Sequence, residues 1–166
     1  MVEKVAKFEK ISYDQWHKDF GDNDQHSFDA VLDEIVRPTR ATKGSAGYDI
    51  HSPYAIDLEP NQDIVVPTGL KCKIANGWFM GAFPKSGLGF KYYVRLANTI
   101  GIIDEDYYNN EKNEGHIYVK IRNESNETLH VDAGKGICQM IFIPYGITED
   151  DDADGIRKGG IGSTNS

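Results

Sequence analysis

Apolar positions follow two rhythms along this chain. Near the N-terminus, Phe28, Val31, Leu32 and Ile35 recur at helical spacing, which predicts a short helix with one apolar face, stopped by Pro38. Ahead of it, Ser12-Tyr13-Asp14-Gln15 has the capping-box pattern and Trp16, His17 and Phe20 follow, so a first short helix is expected over residues 12–20. From residue 48 to residue 144 the rhythm changes to short β-branched and aromatic runs. Segments starting at Asp63, Leu70, Trp78, Tyr92, His116, Thr128 and Ile137 each suit a strand. Turn-forming clusters at 59–62, 75–77, 122–126 and 132–136 separate them. Strands about 8–12 residues apart, with no helical pattern between them, indicate a sandwich, jelly roll or barrel. The expected class is all-β.

The chain divides accordingly into a helical N-terminal extension (1–36), a β-barrel body (37–147), and an acidic linker with a glycine-rich C-terminal arm (148–166). The acidic run Glu149-Asp-Asp-Asp-Ala-Asp reads as a solvated linker, and the arm is long enough to reach another subunit. With 166 residues, one domain is the default. Hydrophobic residues at 39% suffice for a core without staples. Eighteen Lys plus Arg against 26 Asp plus Glu leave −8, which argues against sequence-independent nucleic-acid binding. A nucleotide ligand stays open, because a metal ion can carry the missing positive charge. Cys72 and Cys138 form no CxxC pair, which excludes a zinc ribbon and a thioredoxin-type site. The five histidines form no HExxH and no zinc-spaced cluster, so each is read as surface or packing, and no GxSxG elbow exists. No apolar run reaches about 18 residues and the opening MVEKVAKFEK lacks a secretory core. The expectation is a cytoplasmic protein without membrane association.

Four segments carry chemistry. Gly44-Ser-Ala-Gly-Tyr-Asp49 offers close backbone approach followed by a carboxylate, or an ordinary loop into a strand. Pro84-Lys-Ser-Gly-Leu-Gly89 places a cation, a hydroxyl and exposed amides in one tight turn, a serviceable phosphate cradle without Walker spacing. In Asn98-Thr-Ile-Gly-Ile-Ile-Asp104-Glu-Asp-Tyr-Tyr108 an apolar strand delivers acids and an aromatic. That suits a metal loop, a general base or a hairpin turn with solvated acids. Ile102 and Ile103 favour a partly desolvated Asp104, a better base than a carboxylate in bulk water. The fourth segment, the tail from Arg157, is either a frayed terminus or a set of amides and hydroxyls that closes over phosphates.

Together with Gly134-Lys-Gly-Ile-Cys-Gln139, and in this order, the four segments resemble the five motifs of the trimeric dUTPase family over residues 38–164. The resemblance implies hydrolysis of dUTP to dUMP and pyrophosphate, with Mg2+, in a homotrimer of jelly-roll subunits, each a distorted β-barrel. Its active sites are shared between subunits, and the flexible arm is donated across the interface as a lid. Asp104 then matches the group that activates water for attack on the α-phosphorus. Tyr107 matches the aromatic beneath the deoxyribose. Asn98, Gly101, Ile102 and Ile103, with the returning strand near Tyr118, match the hairpin that reads uracil. Lys85, Ser86, Gly87 and Gln139 align with phosphate contacts, as do Arg157, Ile161, Ser163 and Thr164 of the arm with its lid. Asp49 aligns with a carboxylate that holds the metal through water.

Departures from the family pattern are specific. Lys85 stands where an arginine is usual, Gly136 where another arginine is usual, and Ile161 where a phenylalanine stacks over uracil. The fifth motif is one residue shorter after Arg157, and residues 108–114 lengthen the third-motif hairpin. These bear on rate, affinity and lid closure more than on reaction type. Two other readings remain open: a dCTP deaminase-type enzyme of the same fold, and a nucleotide-sensing protein whose N-terminal extension or 108–114 segment binds a protein partner.

Overall fold

The computed structural model describes residues 2–20 and 25–160, with side chains from residue 28 onward in the second stretch. Eleven strands dominate it: β1 (Ala6–Lys10), β2 (Tyr48–His51), β3 (Ile56–Leu58), β4 (Asp63–Pro67), β5 (Leu70–Ile74), β6 (Trp78–Pro84), β7 (Val94–Leu96), β8 (Gly101–Ile103), β9 (Tyr118–Asn123), β10 (Leu129–Val131) and β11 (Gly136–Pro144). Three helices complete it: α1 (Tyr13–Phe20), α2 (Gln25–Glu34) and α3 (Ser86–Tyr92). The expected all-β class is what the structure shows. Among the described residues no helix is long and apolar enough to cross a membrane.

Every strand pairing is antiparallel. The largest sheet runs β2-β11-β6-β8, a second runs β4-β9-β7, and β1-β5 and β10-β3 form two-stranded ribbons. Alternation explains the burial. In β9, Val119, Ile121 and Asn123 point inward while Lys120 is exposed, and β3, β7 and β10 each bury their first and third residues. Ile50, Val66, Met80, Ile121, Cys138 and Met140 are fully buried where the sheets meet. Asn123 is buried too, and its amide donates to the carbonyls of Leu58 and Glu127, each at 2.8 Å, so its polarity is satisfied.

The N-terminal segment is not wholly helical. Residues Ala6–Lys10 form a strand that pairs with Leu70–Ile74, register Ala6 to Ile74. Phe8 is its one buried position, with Val5 and Ile11 buried just outside its ends, a spacing of three that breaks the period of two and hides the strand in the sequence. Ser12 then caps α1 as its motif indicates, its hydroxyl accepting from the Gln15 N–H at 3.1 Å. Trp16, wholly buried, donates its indole N–H to the Phe28 carbonyl at 2.8 Å and packs with Ile11 and Leu32. The apolar faces of the two helices therefore meet each other in a small cluster of their own, which Ile35 joins to the barrel core.

Two further boundaries differ from expectation. The tight turn expected at 84–89 is the first turn of α3, with Lys85 at its N-cap and Tyr93 in the left-handed region at φ 51° behind it. Tyr92 thus ends a helix instead of opening a strand. The segment expected as a strand from His116 joins the ladder only at Tyr118.

Residues 108–114 fold into a tight return. The Asn109 N–H donates to the Glu114 carbonyl at 3.0 Å, and Asn110 accepts from the N–H groups of Lys112 and Asn113. Gly115 closes it at φ 77°, and a Cβ there would sit 2.5 Å from the Tyr107 carbonyl oxygen. Any side chain is excluded twice over, by φ and by space. Gly115→Ala should cost at least about 1–3 kcal/mol of stability in urea unfolding. A loss below about 0.5 kcal/mol would mean that the return can relax.

Candidate active site

The sequence-predicted site residues fall into two clusters on opposite ends of the main sheet. The first is a hairpin pocket. After β7 the chain turns through Asn98 and Thr99, the latter at φ 66°, and returns as β8 along β6, with Gly101 opposite Ala82 and Ile103 opposite Met80. Asp104 follows as the N-cap of a single 3-10 turn (Glu105–Tyr107). That turn sends Asp104 outward and Tyr107 inward. Together with Asn98, Gly101, Ile102, Ile103, Asp104 and Tyr107, the Tyr118 and Arg157 side chains line a cavity of about 560 Å³. Ile117 and Val119 give it apolar walls. A pocket of this size with few polar groups is the usual form of a small-ligand site.

Tyr107 is held at both lone-pair and proton. Its hydroxyl donates to the His116 carbonyl at 2.8 Å and accepts from the Asn113 amide at 2.9 Å. Burial pushes its phenol above the ordinary tyrosine value, with the Asn113 bond and the nearby Arg157 charge opposing. Tyr118 is pushed up more strongly, by burial and then by the Asp19 carboxylate beside it. The Asp104 side chain is half-exposed, at 49%, so the two isoleucines before it shield it only in part.

Arg157 lies on the acid cluster of its own chain. It donates from Nη2 to Asp104 Oδ2 at 2.5 Å and from Nε to Asp106 Oδ1 at 2.7 Å. Its guanidinium stands 5.8 Å from the Tyr107 ring centroid. Gly160, farther along the arm, runs against Asn113. Ile161, Ser163 and Thr164 lie outside the described residues.

The second cluster is the phosphate-cradle candidate. Asp49 on β2 pairs across to Gln139 on β11, and Gln139 pairs to Phe83 on β6. The Lys85 ammonium donates to Asp49, and its stem lies over Gly136, where an added Cβ would meet Lys85 Nζ at 3.1 Å. The two departures at 85 and 136 are thus one spatial event: the lysine occupies room that a side chain at 136 would take. Gln139 donates to the Pro84 carbonyl at 3.1 Å, while Ser86 and Gly87 stand exposed in the first turn of α3. Amides in a first helical turn have no intrahelical acceptor.

A family model of dUTPase matches residues 33–165. The chain belongs to the dUTPase family. Among curated relatives, the deoxyuridine 5'-triphosphate nucleotidohydrolase of Lactococcus lactis is 36% identical over 129 residues, covering 76% of this chain and 86% of its own length. The Escherichia coli enzyme of the same name is also 36% identical, over 137 residues, 78% of this chain and 87% of its own. The crystal structure of the Streptococcus mutans dUTPase superposes with a TM-score of 0.68 at 31% identity, covering 86% of this chain and 98% of that one. A mutant dUTPase of Staphylococcus aureus phage phi11, described with a structural Mg(II) ion, shares the fold with a TM-score of 0.61 at 23% identity.

Set against a dUTPase pattern, three residues escaped the sequence reading. His116, taken as surface or packing, is wholly buried with both ring nitrogens engaged. Asp106 holds Arg157, and Asn113 holds Tyr107; both lie in segments the sequence marks out, but their partners are set by the fold and not by a local pattern. Among the described residues no group of three or more His, Cys, Asp or Glu side chains gathers in metal-binding geometry. Magnesium commonly keeps several waters and takes one or two carboxylates plus substrate phosphates. Asp49 alone beside the cradle fits an ion that arrives with a triphosphate, not a cage made by the protein.

Removing the Tyr107 hydroxyl isolates its geometric role. Tyr107→Phe leaves the His116 carbonyl without this donor and the Asn113 amide without this acceptor. It should lower stability by about 1–3 kcal/mol in urea unfolding. An unchanged midpoint would show that water replaces both bonds.

Proposed function

We propose that this chain hydrolyses dUTP to dUMP and pyrophosphate, with water attacking the α-phosphorus and Asp104 as general base. The observation that carries the reading is the hairpin pocket: one cavity gathers Asn98, the edge strand Gly101–Ile103, Asp104, Tyr107 and Tyr118. The enzyme class, dUTP diphosphatase, follows from membership in the family. β8 ends its sheet, so among the described residues one backbone edge has no strand partner. Uracil presents acceptor, donor and acceptor in a row, which an open backbone edge and the Asn98 amide can match. The buried Tyr107 ring beneath the sugar leaves no room for a 2'-hydroxyl. A half-exposed carboxylate suffices as base when it holds water in line, because position supplies much of the rate.

The phosphates need donors that the hairpin lacks. Strand spacing and rise put Asp49 and Asp104 on the order of 20 Å apart across the β2-β11-β6-β8 sheet. A nucleotide seated in one chain's hairpin pocket therefore takes its phosphate contacts from another chain's Lys85, Ser86, Gly87 and Gln139. This supports the homotrimer with shared active sites. Phe90 and Tyr93 beside the cradle and Ile102 on the hairpin, 90%, 67% and 59% exposed, are apolar surface that assembly would cover. Arg157, with Ile161, Ser163 and Thr164, closes over the phosphates as the lid.

Asp49 would hold Mg2+ through water, and the ion supplies positive charge against the departing pyrophosphate. Fixed donors in a closed site do the rest, so the overall charge of −8 is no obstacle. Two free, buried thiols suit a reducing cytoplasmic setting.

Asp104→Asn keeps shape but cannot take a proton. Pyrophosphate release from dUTP should fall by about 10²–10⁴ with nucleotide binding kept. Turnover within threefold of the parent would remove Asp104 from the mechanism. The shared site is tested separately by light scattering, which should give about three times 18.6 kDa. A monodisperse active monomer would sink it.

A further inference from the structure

The family model begins at residue 33, yet a residue well ahead of it reaches the side chains that stand behind the nucleoside pocket. Asp19, in the last turn of α1, has a side chain only 14% exposed. Its Oδ2 lies 2.5 Å from His116 Nδ1, and both its oxygens accept from the Gln15 amide. On the far side of the imidazole, Nε2 accepts the Gly69 N–H at 2.9 Å. An acceptor at Nε2 fixes the tautomer: Nδ1 carries the proton and donates it to Asp19. The ring has no freedom left.

Residue 116 in turn holds both aromatic walls of the pocket. Its carbonyl takes the Tyr107 hydroxyl, and its ring lies 4.4 Å from the Tyr118 ring, centroid to centroid. The Asp19 carboxylate is also near enough to the Tyr118 phenol to raise it. Burial raises the Asp19 carboxyl, but hydrogen bonds from His116, Tyr118 and Gln15 outweigh it and hold the group ionised below the usual carboxylate value. Without that acceptor, the Nδ1–H would be buried and unpaired, and the ring would turn or shift to find another partner.

Resting on the dUTPase reading, we propose that Asp19 is a positioning residue for the nucleoside pocket: through His116 it fixes the rings of Tyr107 and Tyr118, and with them the preference for deoxyribose over ribose. Asp19 stands behind the aromatic walls and does not line the cavity that holds Asp104, so the effect falls on binding and sugar choice and not on proton transfer. The N-terminal extension is then part of the specificity apparatus.

Kinetics of the full-length chain test this with three variants. Asp19→Ala should lower the ratio of kcat/KM for dUTP over UTP by at least tenfold, chiefly through KM for dUTP, with kcat on dUTP within about threefold. Asp19→Asn keeps an acceptor but loses the charge, and should lower the ratio at least threefold. Leu32→Ala, which loosens the same extension without touching His116, should lower the melting temperature and leave the ratio unchanged. Either Asp19 variant showing the parental ratio would overturn the proposal, as would an equal fall in Leu32→Ala. Affinities for dUMP and UMP, read by calorimetry on the same proteins, carry the comparison without turnover. A parent protein that prefers dUMP but hydrolyses no dUTP would overturn the hydrolase reading while the Asp19 comparison still decides its own question.

Discussion

Strand β11 pairs along both edges, with β2 on one side and β6 on the other, and that double pairing fixes where the site residues stand. Its register sets Gln139 beside Asp49, and it sets β6 so that Lys85 leaves the strand end toward the same corner. At the opposite end, β6 carries β8, and β8 delivers Asp104. A slip of one residue along β11 would turn Cys138 and Met140 outward and rotate Gln139 into the core. Full burial of those two residues therefore locks the cradle in place as firmly as it locks the fold.

Much of this was legible in residues. The capping box at Ser12, the apolar face of α2, and most strands announce themselves through period, because half-buried strands and one-faced helices leave that trace. The motifs carried Asp49, the cradle, the hairpin and Gln139 because each is a short run of consecutive residues. What stayed hidden is what long-range pairing creates. The β1 strand has an irregular apolar spacing and exists because β5 offers it an edge. His116 looked ordinary because its two partners, Asp19 and Gly69, are distant in sequence. The short helix after Lys85 could not be told from a turn, since its glycines argue against helix while its tertiary neighbours permit it.

The departures from the family pattern also become physical statements. Lys85 and Gly136 share one volume, with the lysine stem where a larger residue at 136 would lie. A single flexible cation there replaces the planar geometry of arginine and is poised on Asp49 in the free protein. The lengthened 108–114 segment is a built support: Tyr108 donates to Glu9 at 2.5 Å, Glu114 accepts from Ser12, and Asn113 holds Tyr107. Both its ends tie to the N-terminal segment, and Asn113 between them ties to the pocket.

The β1–β5 pairing has a consequence for the newborn chain. During synthesis Ala6–Lys10 emerges long before its strand partner, Leu70–Ile74, exists. Asp19 waits longer still, until residue 116 is made. Topologies closed by such distant contacts fold slowly and expose unpaired strand edges meanwhile. The waiting strand is short and carries Lys7, Glu9 and Lys10, charges of the kind that discourage one edge from joining another. Its charges serve the growing polypeptide, because they disfavour edge-to-edge pairing while the partner is still unmade.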